Sequence, residues 1–169
     1  LTFGAGGHGR LGHGDEQPQL VPKVIDALKE KYCIVQVAAG AYHTAVLTAE
    51  GEVLTFGRCD DGRLGHGDRQ GQLLPKVVDA LKGQHRIVQI AAGALYTVVM
   101  AAEGEVLTFG RGLYGKLGHG DQQNQLVPKV IDALKGKYRI VQVAAGGGHT
   151  AILTAEGQVL TFGDGDAGQ

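Results

Sequence analysis

The sequence predicts an all-β propeller of four-stranded antiparallel blades, with about three blades in the chain. Three observations predict it. A 53-residue period runs through all 169 residues. Each period carries four strand-like runs. Each also carries an Ala-Ala-Gly segment, small enough for the crowded centre of a ring.

The period comes first. LTFG stands at Leu1–Gly4, Leu54–Gly57, Leu107–Gly110 and Leu160–Gly163. LGHGD stands at Leu11–Asp15, Leu64–Asp68 and Leu117–Asp121. Pro22, Pro75 and Pro128 keep the step, as do Val35–Gly40, Val88–Gly93 and Val141–Gly146. Repeats one and two share 35 of 53 positions, and repeats one and three share 41. Such similarity points to recent tandem duplication or to a consensus design. Four antiparallel strands at a step of this order are the signature of a propeller blade; a solenoid would step shorter.

The third period illustrates the strands. Lys129–Ile131 is a short run after Pro128. Arg139–Val143 alternates around Gln142 and leads into Ala144-Ala145-Gly146. His149–Thr154 is β-branched and apolar, Glu156-Gly157 forms a tight hairpin turn, and Gln158–Phe162 returns. Asp132–Lys135 is the one helical hint and is too short to nucleate a helix. This reading makes 1–169 one array, with blades near 22–57, 75–110 and 128–163 and part-repeats at 1–21 and 164–169. Three blades cannot close a ring, so the array is expected to be a piece of a longer chain or to assemble with a second copy.

Composition narrows the function. Gly is 29 residues and Pro only 4, without a collagen period. The net charge of −1 argues against direct nucleic-acid binding. No apolar run reaches the roughly 18 residues of a membrane span. The N-terminus, Leu-Thr-Phe-Gly, has neither the charged n-region nor the apolar h-region of a signal peptide, so none is expected; the lack of a starting Met suggests a fragment or a processed chain. Cys33 and Cys59 read as free thiols, so an intracellular compartment, cytoplasmic or nuclear, is expected.

LTFG, a Gly-containing loop, LGHGD, a Pro, VQVAAG and G-x-x-H-T occur in that order. This resembles the regulator of chromosome condensation repeat, and the resemblance covers the whole chain. It implies a propeller, usually of seven blades. Arg10, Arg63 and Lys116 stand where the family has Gln, which returns only at Gln169. Tyr96 replaces the His found as His43 and His149. The resemblance implies that these three residues bond between blades. It also implies a protein partner. The leading expectation is a non-enzymatic protein–protein interaction scaffold. Guanine nucleotide exchange on a Ran-type small GTPase, with chromatin contact, is the second. A purely structural or designed self-assembling ring is the third. A light-sensing branch of the family uses clustered Trp, and this chain has none.

No catalytic, cofactor or metal residue is expected. Gly4–Gly9 and Gly110–Gly115 match G-x-G-x-x-G, yet RLGHGD or KLGHGD follows instead of the helix a dinucleotide needs. His13, His66 and His119 recur with Asp15, Asp68 and Asp121, one pair per loop, below a usual ligand set. These segments read as Gly-rich turns whose Asp bonds nearby amides. The repeats differ mainly in loops, where binding on a rigid scaffold resides. The candidate partner-binding residues are therefore His8, Arg58, Asp60, Asp61, Arg111, Leu113, Tyr114 and Lys116. Repeat charge drifts from −2 through 0 to +3, so an acidic protein surface is one candidate partner.

Overall fold

In the computed structural model, residues 1–166 are described, and they form thirteen strands. They are β1 (Thr2–Gly4), β2 (Gln19–Lys23), β3 (Ile34–Ala39), β4 (His43–Thr48), β5 (Val53–Gly57) and β6 (Gln72–Val77). Then come β7 (Ile87–Ala92), β8 (Tyr96–Ala101), β9 (Val106–Gly110), β10 (Gln125–Val130), β11 (Ile140–Ala145), β12 (His149–Thr154) and β13 (Val159–Gly163). Two four-stranded antiparallel blades run β3-β4-β5-β6 and β7-β8-β9-β10. A third sheet holds β11-β12-β13, and β1 pairs with β2. The array is an open run of propeller blades. Gln169, the expected family glutamine, lies outside the described residues.

The sheets correct the expected blade limits of 22–57, 75–110 and 128–163. The complete blades lie at 34–77 and 87–130. The Pro-bearing strand of each repeat is the outer strand of the preceding blade, not the first strand of the next. Thr55 pairs with Lys76, and Thr108 with Lys129. Proline explains the placement: it cannot donate to a ladder, so its strand must be an edge. Pro22, Pro75 and Pro128 all sit in such edge strands. The opposite edge of each sheet belongs to the Ala-Ala strands β3, β7 and β11, and β7 contacts both of the others. The Asp132–Lys135 stretch is a turn, as its length predicts.

Blades pack by translation of one pattern. Ala45, Leu47 and Val53 of one blade meet Val78 and Leu81 of the connecting segment and Ile90, Val99 and Phe109 of the next blade. One step on, Val98, Met100 and Val106 meet Ile131, Leu134, Val143 and Ile152. The next donor face would be Ala151, Leu153 and Val159. There Val159 is 67% exposed, against 1% for Val53. At the other end Ile25, Leu28, Val46, Leu54 and Phe56 form the receiving half of the same interface.

A polar clasp accompanies each packed interface. Gln36 Nε2 donates to the Ile90 carbonyl at 3.0 Å, and the Ile90 amide donates back to Gln36 Oε1 at 2.9 Å. Gln89 repeats both bonds with Val143, at 3.3 and 3.0 Å. A primary amide presents one donor and one acceptor side by side, which matches one residue's C=O and N–H across the gap. Losing a clasp would leave a backbone amide unbonded between blades, at a cost of about 1–3 kcal/mol.

Candidate interaction face

The loops after β5 and β9 carry most of the candidate residues, and they converge. Arg58, Asp61, Arg63, Leu95, Arg111 and Leu113 line one groove of about 570 Å³, with Tyr42, Asp60 and Asn124. Arg58 pairs with Asp60. Arg63 Nη2 donates to Asp61 Oδ2 at 2.7 Å, and Asn124 Nδ2 reaches Asp61 Oδ1 at 3.4 Å. Asn124 Oδ1 also accepts from the Gly112 amide at 3.0 Å within its own loop, so this one side chain joins that loop to Asp61 of the preceding one.

Tyr42 organises the first half of this face. Its ring centroid lies 4.9 Å from the Arg10 guanidinium, 5.6 Å from Arg58 and 6.0 Å from Arg63. These are distances at which a cation is attracted to an aromatic face. His8 meets the same ring edge-on, with centroids 6.2 Å apart. His8 and Tyr114 hold the same repeat position, and both have left-handed backbones, at φ 61° and 64°. Such residues are strained by about 1–3 kcal/mol and cluster at binding sites. A single 3-10 turn, with Gly9 N bonded to Gly6 O at 3.0 Å and Gly115 N to Gly112 O at 2.9 Å, holds each one outward. No long helix follows either G-x-G-x-x-G match.

The structure thus gathers Arg58, Asp60, Asp61, Arg111 and Leu113 in one groove. His8 flanks it through Tyr42, and Tyr114, in the third-repeat loop, is exposed outside the groove lining. Lys116 differs: it is buried, with Nζ 5.7 Å from the Tyr96 ring. Burial, then Arg111, lowers its pKa from the usual lysine value. Tyr42 and Leu95 were absent from the sequence-derived set. The signal for Tyr42 was present, because repeat divergence includes the Ala41–His43 segment.

His43 and Tyr96 lie between blades. His43 Nε2 is 2.9 Å from Thr97 Oγ1, and that hydroxyl donates to the Arg63 carbonyl at 2.8 Å. The hydroxyl's proton is spent, so Nε2 is the nitrogen carrying hydrogen. Burial, then the charge of Arg63, lowers the His43 pKa to about 3. The Tyr96 hydroxyl donates to the His149 carbonyl and lies 3.1 Å from Thr150 Oγ1. His13, His66 and His119 each place Nε2 within 3.1 Å of a strand threonine, Thr2, Thr55 or Thr108. Asp15, Asp68 and Asp121 each accept from the amide two residues on, at 2.9 Å.

Translated blades, clasped edge to edge and topped by variable loops, define a tandem-repeat propeller. The chain belongs to the regulator of chromosome condensation (RCC1) repeat family, whose model matches residues 1–47, 50–100 and 103–153. It is 39% identical over 170 residues to the human (Homo sapiens) E3 ubiquitin-protein ligase HERC2, covering 98% of this chain and 4% of the ligase. It is 38% identical over 168 residues to the ultraviolet-B receptor UVR8 of Arabidopsis thaliana, covering 99% of this chain and 38% of the receptor. Among solved structures, Prp20p of Saccharomyces cerevisiae superposes with a TM-score of 0.83 at 28% identity. That match covers 97% of this chain and 41% of Prp20p, whose reported binding properties concern Gsp1p and histones. Yeast RCC1 (Prp20) bound to Kap60 gives 0.84 at 27% identity, covering 99% and 40%. The chain therefore spans well under half of these relatives. No helix among the described residues is long and apolar enough to cross a membrane.

Proposed function

We propose that the chain is a non-enzymatic protein–protein interaction scaffold that binds through the loop groove. One observation carries this reading: the loops in which near-identical repeats differ converge on one groove with Tyr42. Rigid strands and divergent loops divide support from recognition. A nuclear or cytoplasmic site of action fits the two unpaired thiols, Cys33 and Cys59. The double variant Arg111→Ala, Tyr114→Ala is expected to lose at least about tenfold in affinity for a captured protein partner, as hot-spot Arg and Tyr do. Its thermal midpoint is expected to stay put. Undiminished binding by the folded variant would overturn the reading. Prp20p's reported work with Gsp1p keeps nucleotide exchange as a second reading. Faster nucleotide release from a Ran-type GTPase by this chain would favour it.

Assembly is part of the same proposal. Further blades cover both end faces, from the parent polypeptide or from a second copy. Val37 of the first blade is 62% exposed where its counterpart Ile90 is 2% exposed and clasped by Gln36. Gln142 at the other end is the next clasp residue and is exposed. The two ends are thus halves of one interface. Native mass spectrometry of the 169-residue chain is expected to give a multiple of 17.6 kDa if a second copy serves. A monomer at all concentrations would leave only neighbouring blades of a longer polypeptide.

A further inference from the structure

Arg10, Arg63 and Lys116 hold one repeat position, yet their charges are used differently. Arg10 is satisfied by backbone: Nη1 donates to the Ala41 carbonyl at 2.7 Å and Nε to that of Gly7 at 2.9 Å. Arg63 turns to Asp61 instead and is 2% exposed. Its Nε and Nη1 are buried and have no hydrogen-bond partner among the described residues. A guanidinium offers five donors, and leaving buried ones unused is costly.

The charges around it leave a surplus. Asp60 is taken by Arg58, and Asp61 by Arg63 and Asn124. Arg111 and Lys116 have no ion pair among the described residues. Lys116 is 4% exposed; burial and then Arg111 disfavour its protonation, while the charges of Asp61 and Asp164 favour it. Arg63 and Arg111 line the groove together.

We propose that Arg63 and Arg111 form a carboxylate-binding site, whose occupant is an Asp or Glu side chain from an acidic segment of a partner protein. The planar guanidinium fork matches a carboxylate in two parallel hydrogen bonds. Leu95, Leu113 and Tyr42 on the groove walls supply apolar contact for a neighbouring residue of the same segment. The arrangement selects a peptide with an acid beside an apolar side chain over a free anion. This inference rests on the interaction-face reading and names the chemistry of its partner.

The probe is a fluorescein-labelled decapeptide with Asp-Leu-Asp at its centre, titrated against the full 169-residue chain by anisotropy. Matched peptides carry Asn-Leu-Asn or phosphoserine-Leu-phosphoserine. The Asp peptide is expected to bind at least about tenfold more tightly than the Asn peptide, and more weakly as salt is raised. Arg111→Gln is expected to remove most of that preference while keeping the thermal midpoint. Arg63→Gln is expected to do the same, and Arg111→Gln decides the matter if it unfolds. Equal binding of Asp and Asn peptides, no binding of the Asp peptide, or unchanged preference in the folded variants would overturn the site. A phosphoserine peptide that binds tenfold better than the Asp peptide would overturn the carboxylate assignment in favour of phosphate. If a captured partner is lost in the Arg111→Ala, Tyr114→Ala variant while Asp and Asn peptides bind alike, the interaction face stands and the carboxylate site falls.

Discussion

Gly93→Ala is expected to unfold the array or to cost at least about 3 kcal/mol, the top of the usual range for overpacking. A methyl on Gly93 would lie 2.1 Å from Tyr96 Cε1 and 2.7 Å from the Gly146 carbonyl oxygen. Neither neighbour can yield. Tyr96 is fully buried and bonded to the next blade, and the Gly146 oxygen is backbone. The backbone of Gly93 is not left-handed, so the penalty is one of space and not of conformation. Gly147→Ala is the matched control, with nothing within 4 Å and an ordinary φ. It is expected to change stability by no more than about 0.5 kcal/mol. Urea denaturation of the two variants checks this. A Gly93→Ala protein with the parent's midpoint would refute close blade packing at the Ala-Ala-Gly runs.

Acid is expected to weaken the array through His43. The folded protein holds this imidazole neutral down to about pH 3, against 6.5 for an ordinary histidine. Above pH 6.5 both states are neutral and the full stability is present. Below it the unfolded chain takes a proton that the folded chain refuses, so stability falls steadily towards pH 3. Each unit of separation is worth about 1.4 kcal/mol, so the loss by mid-acid pH amounts to a few kcal/mol. Burial also lowers the pKa of His66 and His119, which adds in the same direction. His43→Tyr copies the residue that the second repeat uses at this position. That variant is expected to show a shallower loss of urea midpoint between neutral and acid pH than the parent. Equal slopes would show that His43 does not titrate on unfolding.

Which features could be read in advance follows from how local each cause is. Strand positions were legible because side-chain alternation and the Glu-Gly hairpins act within a few residues. Blade membership was not. The strand around Pro75 lies fourteen residues beyond β5 and nine before β7, and nearness in sequence favoured the wrong partner. The deciding fact, that a strand lacking an N–H must be an edge, was available in Pro75 itself. The clasps were visible too, as Gln36, Gln89 and Gln142 inside apolar alternation, but their partner lies one blade away. At the groove, the unusual cations Arg10, Arg63 and Lys116 stood out at once. The diversion of Arg63 to Asp61 and its unused donors depend on the packing of Tyr42 and its neighbours, which no local pattern encodes.

Because each blade takes its outer strand from beyond the next LTFG, no blade coincides with a repeat counted from LTFG. Relative to those repeats the blade is staggered, and any window of 53 residues contains every position of the period once, in circularly permuted order. Inserting or deleting such a window, wherever its ends fall, creates no junction that the array does not already contain. Unequal recombination anywhere along the gene is therefore structurally silent except in blade number. That tolerance gives a physical route to copies sharing 41 of 53 positions within one chain. It also makes the number of blades, not the make-up of any one of them, the quantity that ring closure must select.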